Sequence, residues 1–384
     1  MTKIYIYCRD EPNAYQDDVV VLVDGLLQLG CEVFGSCNYW RQSPASDDWL
    51  IRHDPNVRAE ACDIVIVSYV WTRWINERFQ IDEHELPTDL FRPDRRYKTA
   101  YLDLDDGYET ASWRAEFREF DLVFRAKYNR RCEHPSNQRP WVLGLNARML
   151  KMTDGAAPWK TRRPEILVNF GASHPYVHGA RGQAGPPFLR SIESIFSINN
   201  ERDDLTHEPE KGYDRLMWEQ TQRRHSRSYY QRLKESQAIV AYCGELIPPA
   251  PFHPPYLVGG RRAKISRRWF NLLAKLDSRP PRLIQWDSWR FWEGLAAGCL
   301  VFNFDLPYYG VELPEMPQPF VHYVPIRLGR EQEALDCLNA MPDQGESIAN
   351  AGKEWAVKHY TPRALAARFL TKFGIESEQR PIAS

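Results

Sequence analysis

The chain has almost no net charge: 50 Lys and Arg against 51 Asp and Glu over 384 residues leave a formal −1. Without a global field, neither nucleic acid nor an acidic membrane is recruited by charge alone. There is no C-x-x-C pair, and the eight cysteines (Cys8, Cys31, Cys37, Cys62, Cys132, Cys243, Cys299 and Cys337) have no histidines at matching spacing. Most sit in or beside apolar runs, so buried free thiols in a reducing compartment are expected and a structural zinc site is not. No apolar run approaches the ~18–20 residues of a spanning helix. The apolar segment of MTKIYIYCRDEP is too short for a signal peptide. A soluble cytoplasmic protein is the expectation. No internal repeat is visible, and the only biased tract is the Pro cluster in LIPPAPFHPPYLVGG. The first strand runs into CRDEPNAY, not G-x-G-x-x-G, which disfavours a nicotinamide enzyme.

What is present is rhythm. KIYIY reads as a strand, DDVVVLVDGLLQLG as a helix stopped at Gly30, and CEVFGS as a second strand. That βαβ opening implies a parallel sheet. DIVIVSYVW, YKTAYLDLDD, FDLVFRA and WVLGLN continue it as short apolar runs. A length of 384 residues suggests two domains of roughly 150–200 residues. TDGAAPWKTRRP, rich in small, charged and Pro residues, is the linker candidate. The expected division is an α/β domain over 1–152, a linker over 153–164, a second over 165–360 and a terminal helix over 361–384 that can pack back on the first. In the second half EILVNFGA and QAIVAYCGE read as strands. GPPFLRSIESIFSI reads as a helix with Pro186 and Pro187 near its start, and FVHYVPI as the last strand. Thirteen Trp and 19 Tyr hint at aromatic-lined clefts, although a Trp-rich core is equally permitted.

The most informative stretch is SWRFWEGLAAGCLVFNFD, residues 288–305. Ser288 or Asp287 can cap a helix running to about Ala297, and Gly298 stops it before a strand. Gly294, Ala296 and Ala297 supply a small-residue face for close packing on a sheet. In a parallel sheet, helix N-termini and strand carboxyl ends share the ligand edge. There, backbone N–H groups, the Ser288 hydroxyl and the Arg290 guanidinium favour an anion. Glu293, one turn on and acceptor-only when ionised, suits the paired hydroxyls of a ribose. The bland alternative is an Arg290–Glu293 pair on a solvated helix, worth ~0.2–0.5 kcal/mol.

This segment resembles the donor-site helix of GT-B glycosyltransferases, particularly the exostosin-like and spore-maturation-type branches, with their S/T-x-R-x-x-E-(A/G)-x-A-x-G pattern before a strand. YYQRLKESQAIVAYCGE upstream and SIANAGKEWAVKHYTPRALAARFL downstream are similar to the flanking segments of those families. The resemblance implies a GT-B fold, two Rossmann-type parallel-sheet domains facing across a cleft. The implied activity is metal-independent transfer of a hexose from a nucleotide diphosphate donor to a hydroxyl of a glycan, protein or small molecule. The nucleotide sugar is then co-substrate, with no separate cofactor; the balanced charge, with no stacking-aromatic motif beside the Arg run, separately argues against a nucleic-acid partner. Glu293 would hold the ribose, Ser288 and Arg290 would lie by the diphosphate, and Gly244 would let backbone approach the nucleotide. Many retaining members carry an acid eight positions before the helix glutamate. Here that position is Gln285, which favours a non-catalytic nucleotide-sugar binder or partner binder as the rival.

Other segments carry weaker alternatives. In LDLDDGYE, Asp103 and Asp105 could bind a divalent cation in a metal-dependent transferase, whereas Asp105 and Asp106 could instead line an acceptor cleft. CRDEPNAY offers Asp10 or Glu11 as a general base if the enzyme inverts, with Asn13 as an acceptor contact, or is a solvated loop. NFGASHPYVHGARG places Gly171 and Arg181 at the donor edge, with Arg181 on phosphate or in a surface loop. His174 and His178, interrupted by Pro175, are poor zinc candidates. Arg261 to Arg268 would form a basic face for diphosphate or for peripheral contact with anionic lipid headgroups, or a solvated face.

Overall fold

A computed structural model describes residues 1–9, 17–75, 81–83, 85–105, 114–170, 179–202, 207–249, 279–340 and 343–376. Asp10, Glu11, Asn13, Asp106, Gly171, His174, His178 and the Arg261–Arg268 segment lie outside these residues.

The first half builds a six-stranded sheet from Lys3–Tyr7 (β1), Glu32–Gly35 (β2), Ile64–Ser68 (β3), Lys98–Asp103 (β4), Leu122–Ala126 (β5) and Gln138–Trp141 (β6). All neighbours are parallel in the order β6-β5-β4-β3-β1-β2. Strands such as IVIVS in β3 are buried along their whole length because helices cover both faces, so they read as continuous apolar runs and not as alternating ones. The order reverses between β1 and β3, which is the topological switch point. Helix α1 (Asp17–Gln28) buries Val19 to Val23 and Leu26.

The second half repeats the design with Arg163–Leu167 (β7), Ser197–Asn199 (β8), Ser236–Val240 (β9), Leu300–Phe304 (β10) and Val324–Ile326 (β11), ordered β8-β7-β9-β10-β11 and parallel. Its switch point lies between β7 and β9. The helices that frame it are Ala147–Thr153 (α2), Gly179–Ile192 (α3), Tyr213–Gln220 (α4), Arg227–Glu235 (α5), Trp289–Ala296 (α6), Glu331–Ala340 (α7), Gln344–Tyr360 (α8) and Pro362–Lys372 (α9). Gly294 lets α6 sit close on β9 and β10: a Cβ there would meet Ile239 Cγ2 at 2.6 Å and Val301 Cγ2 at 3.0 Å. Trp292, buried on the same helix, packs 4.8 Å from the Tyr360 ring at the end of α8.

The chain then returns to the first sheet. Arg363 donates to Gln28 O at 3.0 Å, and Phe369 packs 4.9 Å from Phe124 on β5. The halves also meet through Asn129, whose amide donates to Leu283 O and Tyr309 O, each at 2.9 Å. Among the described residues no helix is long and apolar enough to cross a membrane.

Three elements differ from the sequence reading. WVLGLN is not a strand beyond Trp141, because the Leu143 N–H bonds to the Asp287 carboxylate and Gly144 turns at φ 72°. FVHYVPI keeps only its last three residues as strand, since Val321 and His322 turn back onto Gln318 O. Helix α3 starts at Gly179, so Pro186 and Pro187 fall in its interior and not near its start. Its buried face, with Ala180, Ala184 and Phe188 four residues apart, sustains the helix despite two missing N–H groups.

Candidate functional site

The second sheet's switch point gathers the charged residues that sequence placed at a donor edge. Beyond β7 come Asn169 and Phe170; beyond β9 come Ala241, Tyr242, Cys243 and Gly244. Arg290 reaches this edge from the first turn of α6, and its Nε donates to Asn169 O at 2.5 Å. Arg181 reaches it from the first turn of α3, not from a surface loop, with Nε donating to Tyr242 O at 3.3 Å. Both guanidiniums lie against the Phe170 ring, 5.1 Å away for Arg181 and 5.9 Å for Arg290. Neither has a carboxylate partner among the described residues, and their terminal amino groups have no hydrogen-bond acceptor there. Burial, and then the Arg181 charge beside it, pull Arg290 below the ordinary arginine range. Two like charges held together in a half-buried niche are an arrangement that an anion relieves.

Helix α6 adds a second attraction. Its C-terminal carbonyls are satisfied by Arg162, which donates to Ala297 O at 2.8 Å and to Gly298 O at 3.1 Å. At its N-terminus, Ser288 makes no side-chain cap: the hydroxyl donates to Ala241 O at 3.3 Å. In that first turn Phe291 N bonds back to Ser288 O at 3.1 Å, and the Ser288 side chain does not compete for it. Gly244, at φ 104°, is required by the chain itself, because a Cβ there would run into Ile284 O. Gln285 beside it holds φ 54°, an uncommon state for a residue with a side chain, and is buried.

Glu293 is not on a solvated face, so the exposed Arg290–Glu293 pair is overturned. The carboxylate, 5% exposed, accepts from Tyr229 OH at 2.8 Å and from Tyr230 OH at 2.7 Å. Tyr230 OH in turn accepts from Arg148 Nη1 at 2.9 Å, and the Arg148 guanidinium lies 5.9 Å from the Trp289 ring. A chain of contacts thus runs from α2 through α5 to α6. Asp287, just before Ser288, accepts from Leu143 N at 2.7 Å and from Trp292 Nε1 at 2.6 Å. Burial pushes its carboxyl up to about 6 despite those bonds. Sequence reasoning missed Arg148, Asn169 and Phe170 and passed over the Tyr229–Tyr230 pair. Their only signal is a doubled tyrosine and a residue following a strand, which does not disclose what they face.

The first sheet's edge is different. Asp103, at the end of β4, is buried and paired with Arg125 Nη1 at 2.8 Å; its Oδ1 also accepts from Asp105 N at 3.1 Å. Lys127 Nζ donates to Leu104 O at 2.9 Å. Asp103 therefore serves an internal ion pair, and Asp105 is buried behind it. Among the described residues no group of three or more His, Cys, Asp or Glu side chains is arranged to hold a metal ion.

No protein-family model and no curated protein matches the sequence. Solved structures do match the fold. An alpha-glucosyltransferase in complex with UDP aligns over 97% of this chain and 100% of its own at a TM-score of 0.51 and 8% identity. An alpha-glucosyltransferase in complex with UDP and a 13-mer DNA containing an HMU base aligns over 97% and 99% at 0.51 and 9% identity. A third, in complex with UDP and a 13-mer DNA containing a central A:G mismatch, gives 97%, 100%, 0.50 and 10%. The fold is GT-B. Within GT-B, the niche of Arg181, Arg290 and the α6 N-terminus belongs to the second sheet, and the buried Asp103–Arg125 pair to the first.

Proposed function

We propose that this GT-B chain is a glycosyltransferase that takes a sugar from a nucleoside diphosphate donor bound at the second sheet's switch point. The observation that carries the reading is the adjacency of Arg181 and Arg290, without carboxylate partners, beside an uncapped helix N-terminus. Those groups would neutralise the diphosphate as it leaves, the largest electrostatic demand of such a transfer. The ribose role assigned to Glu293 by the resemblance would draw on the lone pairs that Tyr229 and Tyr230 leave free, since an ionised carboxylate offers about four acceptor sites. Asp10 or Glu11 is proposed as the base that receives the acceptor proton, and Asn13, Asp105 and Asp106 as the acceptor side. The solved neighbours bound to UDP make uridine diphosphate the first nucleotide to test. Two of them hold DNA, so an oligonucleotide belongs in the acceptor panel, although a net charge of −1 supplies no general attraction for one.

The test is calorimetric titration of nucleoside diphosphates and nucleotide sugars into wild type, Arg290→Ala and Arg181→Ala, with and without chelator. Binding that weakens in both variants and ignores chelator supports the reading. Binding unchanged in both variants would sink it. Donor turnover then separates the enzyme from a non-catalytic binder, the second reading, which Gln285 favours by standing where an acid would be expected.

A further inference from the structure

Cys8 and Cys37, 29 residues apart in sequence, bring their Sγ atoms to 3.6 Å. The other thiols have different surroundings: Cys62 donates to Arg58 O, Cys243 to Trp286 O and Cys299 to Leu233 O. Cys8 closes β1 and is buried, while Cys37 follows β2 and is partly exposed. Ser36 holds the two segments together, its hydroxyl accepting from Cys8 N at 3.0 Å and donating to Cys8 O at 2.7 Å. The Cys37 thiol beside it pulls the Cys8 thiol below its ordinary range and outweighs the opposing effect of burial. A disulfide requires the sulfurs at about 2.0 Å, a closure of about 1.5 Å from where they stand.

We propose that Cys8 and Cys37 form a redox-modification site, a dithiol that hydrogen peroxide converts into an intramolecular disulfide. In the first step the more exposed Cys37 passes its proton to the Cys8 thiolate beside it, and its sulfur attacks the peroxide oxygen. The O–O bond breaks, an S–O bond forms, and the departing hydroxide takes a proton to leave as water. In the second step the Cys8 thiolate attacks the Cys37 sulfur, the S–O bond breaks, and hydroxide again leaves as water. Two thiols lose two electrons and two protons, and one peroxide becomes two waters. The product ties the carboxyl end of β1, at the first sheet's switch point, to the turn after β2. It is independent of what the second sheet binds.

The test uses the full chain treated with hydrogen peroxide, blocked with an alkylating agent and cut after Lys, Arg and Glu, which isolates Cys8 in peptide 4–9 and Cys37 in peptide 33–41. The expected result is one linked species of these two peptides, lighter by two hydrogens than their sum and lost on reduction. Native alkylation of Cys37 should fall by about tenfold or more in parallel. In Cys8→Ser, the same treatment should leave Cys37 as a sulfenic acid that a dimedone probe captures. The proposal is overturned if wild-type Cys37 accumulates as the captured sulfenic acid without a linked peptide. It is overturned equally if Cys37 links to Cys31 or to a second chain, or if both thiols stay alkylatable under oxidant that consumes free cysteine.

Discussion

The two sheets share one strand order at their switch points but treat charge at the carboxyl edge in opposite ways. In the first sheet Asp103 meets Arg125 inside the core, and Lys127 is spent on a backbone carbonyl. In the second, Arg181 and Arg290 stand side by side on Phe170 with only a backbone carbonyl each. A buried pair is costly to break by removing one partner, and its two charges are already engaged with each other. Two adjacent cations with no direct ion pair are tolerable because they remain partly open to solvent, buried Glu293 offsets part of the charge on Arg290, and something bound can pair them. Topology alone would nominate both edges as sites; the charge state distinguishes them.

The contrast can be broken most forcefully at Arg125. Arg125→Ala leaves Asp103 buried without its partner, and a loss of about 3–5 kcal/mol in urea unfolding is expected. Nucleotide affinity should stay within about twofold, measured under conditions where the variant is folded. A stability change below about 1 kcal/mol would show that the first edge is not a closed pair.

Asp287 ties helix α6 to the first half and gives a pH-dependent handle. Its carboxyl is raised from 3.8 to about 6, so the folded state binds the proton more tightly than the unfolded chain does. Its contribution is then greatest below pH 3.8 and is lost as pH rises through about 6, with a difference of up to about 3 kcal/mol. Subtracting the pH–stability curve of Asp287→Asn from that of wild type should isolate this fall. A flat difference from pH 4 to 7 would refute the assignment.

Arg290→Ala should weaken nucleoside diphosphate binding by about tenfold to a hundredfold, the worth of one charge-assisted hydrogen bond or slightly more. Arg290→Lys should recover part of it. Stability should change little, because Arg290 makes no direct ion pair and Glu293 keeps its two tyrosine donors, and an affinity loss matched by global unfolding would erase the contrast with Arg125.

The smallest effects belong to the tyrosines. Tyr229→Phe and Tyr230→Phe each remove one donor from buried Glu293 and should cost about 1–2 kcal/mol. Together with Glu293→Gln they should show non-additive coupling in a double-mutant cycle. Strict additivity would mean that the carboxylate is not held as the structure shows.

Much of this was legible in the chain. The βαβ opening, the helix 289–296 with its Gly298 stop and the close-packing role of Gly294 follow from local propensity and a small-residue pattern, which require no knowledge of the rest. Arg290 could be nominated from its place in the first turn of a helix before a strand. Arg181 can be named from sequence, on phosphate or in a surface loop, but not placed in a helix, because Pro186 and Pro187 argue locally against one that the packing of Ala184 and Phe188 nevertheless supports. Glu293 read as a hydroxyl acceptor, and so it is, but for two tyrosines of its own chain.

By itself, then, the order of residues determined two doubly wound parallel sheets and one helix N-terminus rich in anion-binding groups, because backbone periodicity and capping act within a few residues. Which charges were neutralised was decided only by the tertiary structure. Asp103 finds Arg125 22 residues away, Arg148 reaches Tyr230 82 away, and Arg290 meets Asn169 121 away. A charge's energy depends on burial and on the partner within a few ångströms, and both are set by packing between segments that sequence keeps far apart.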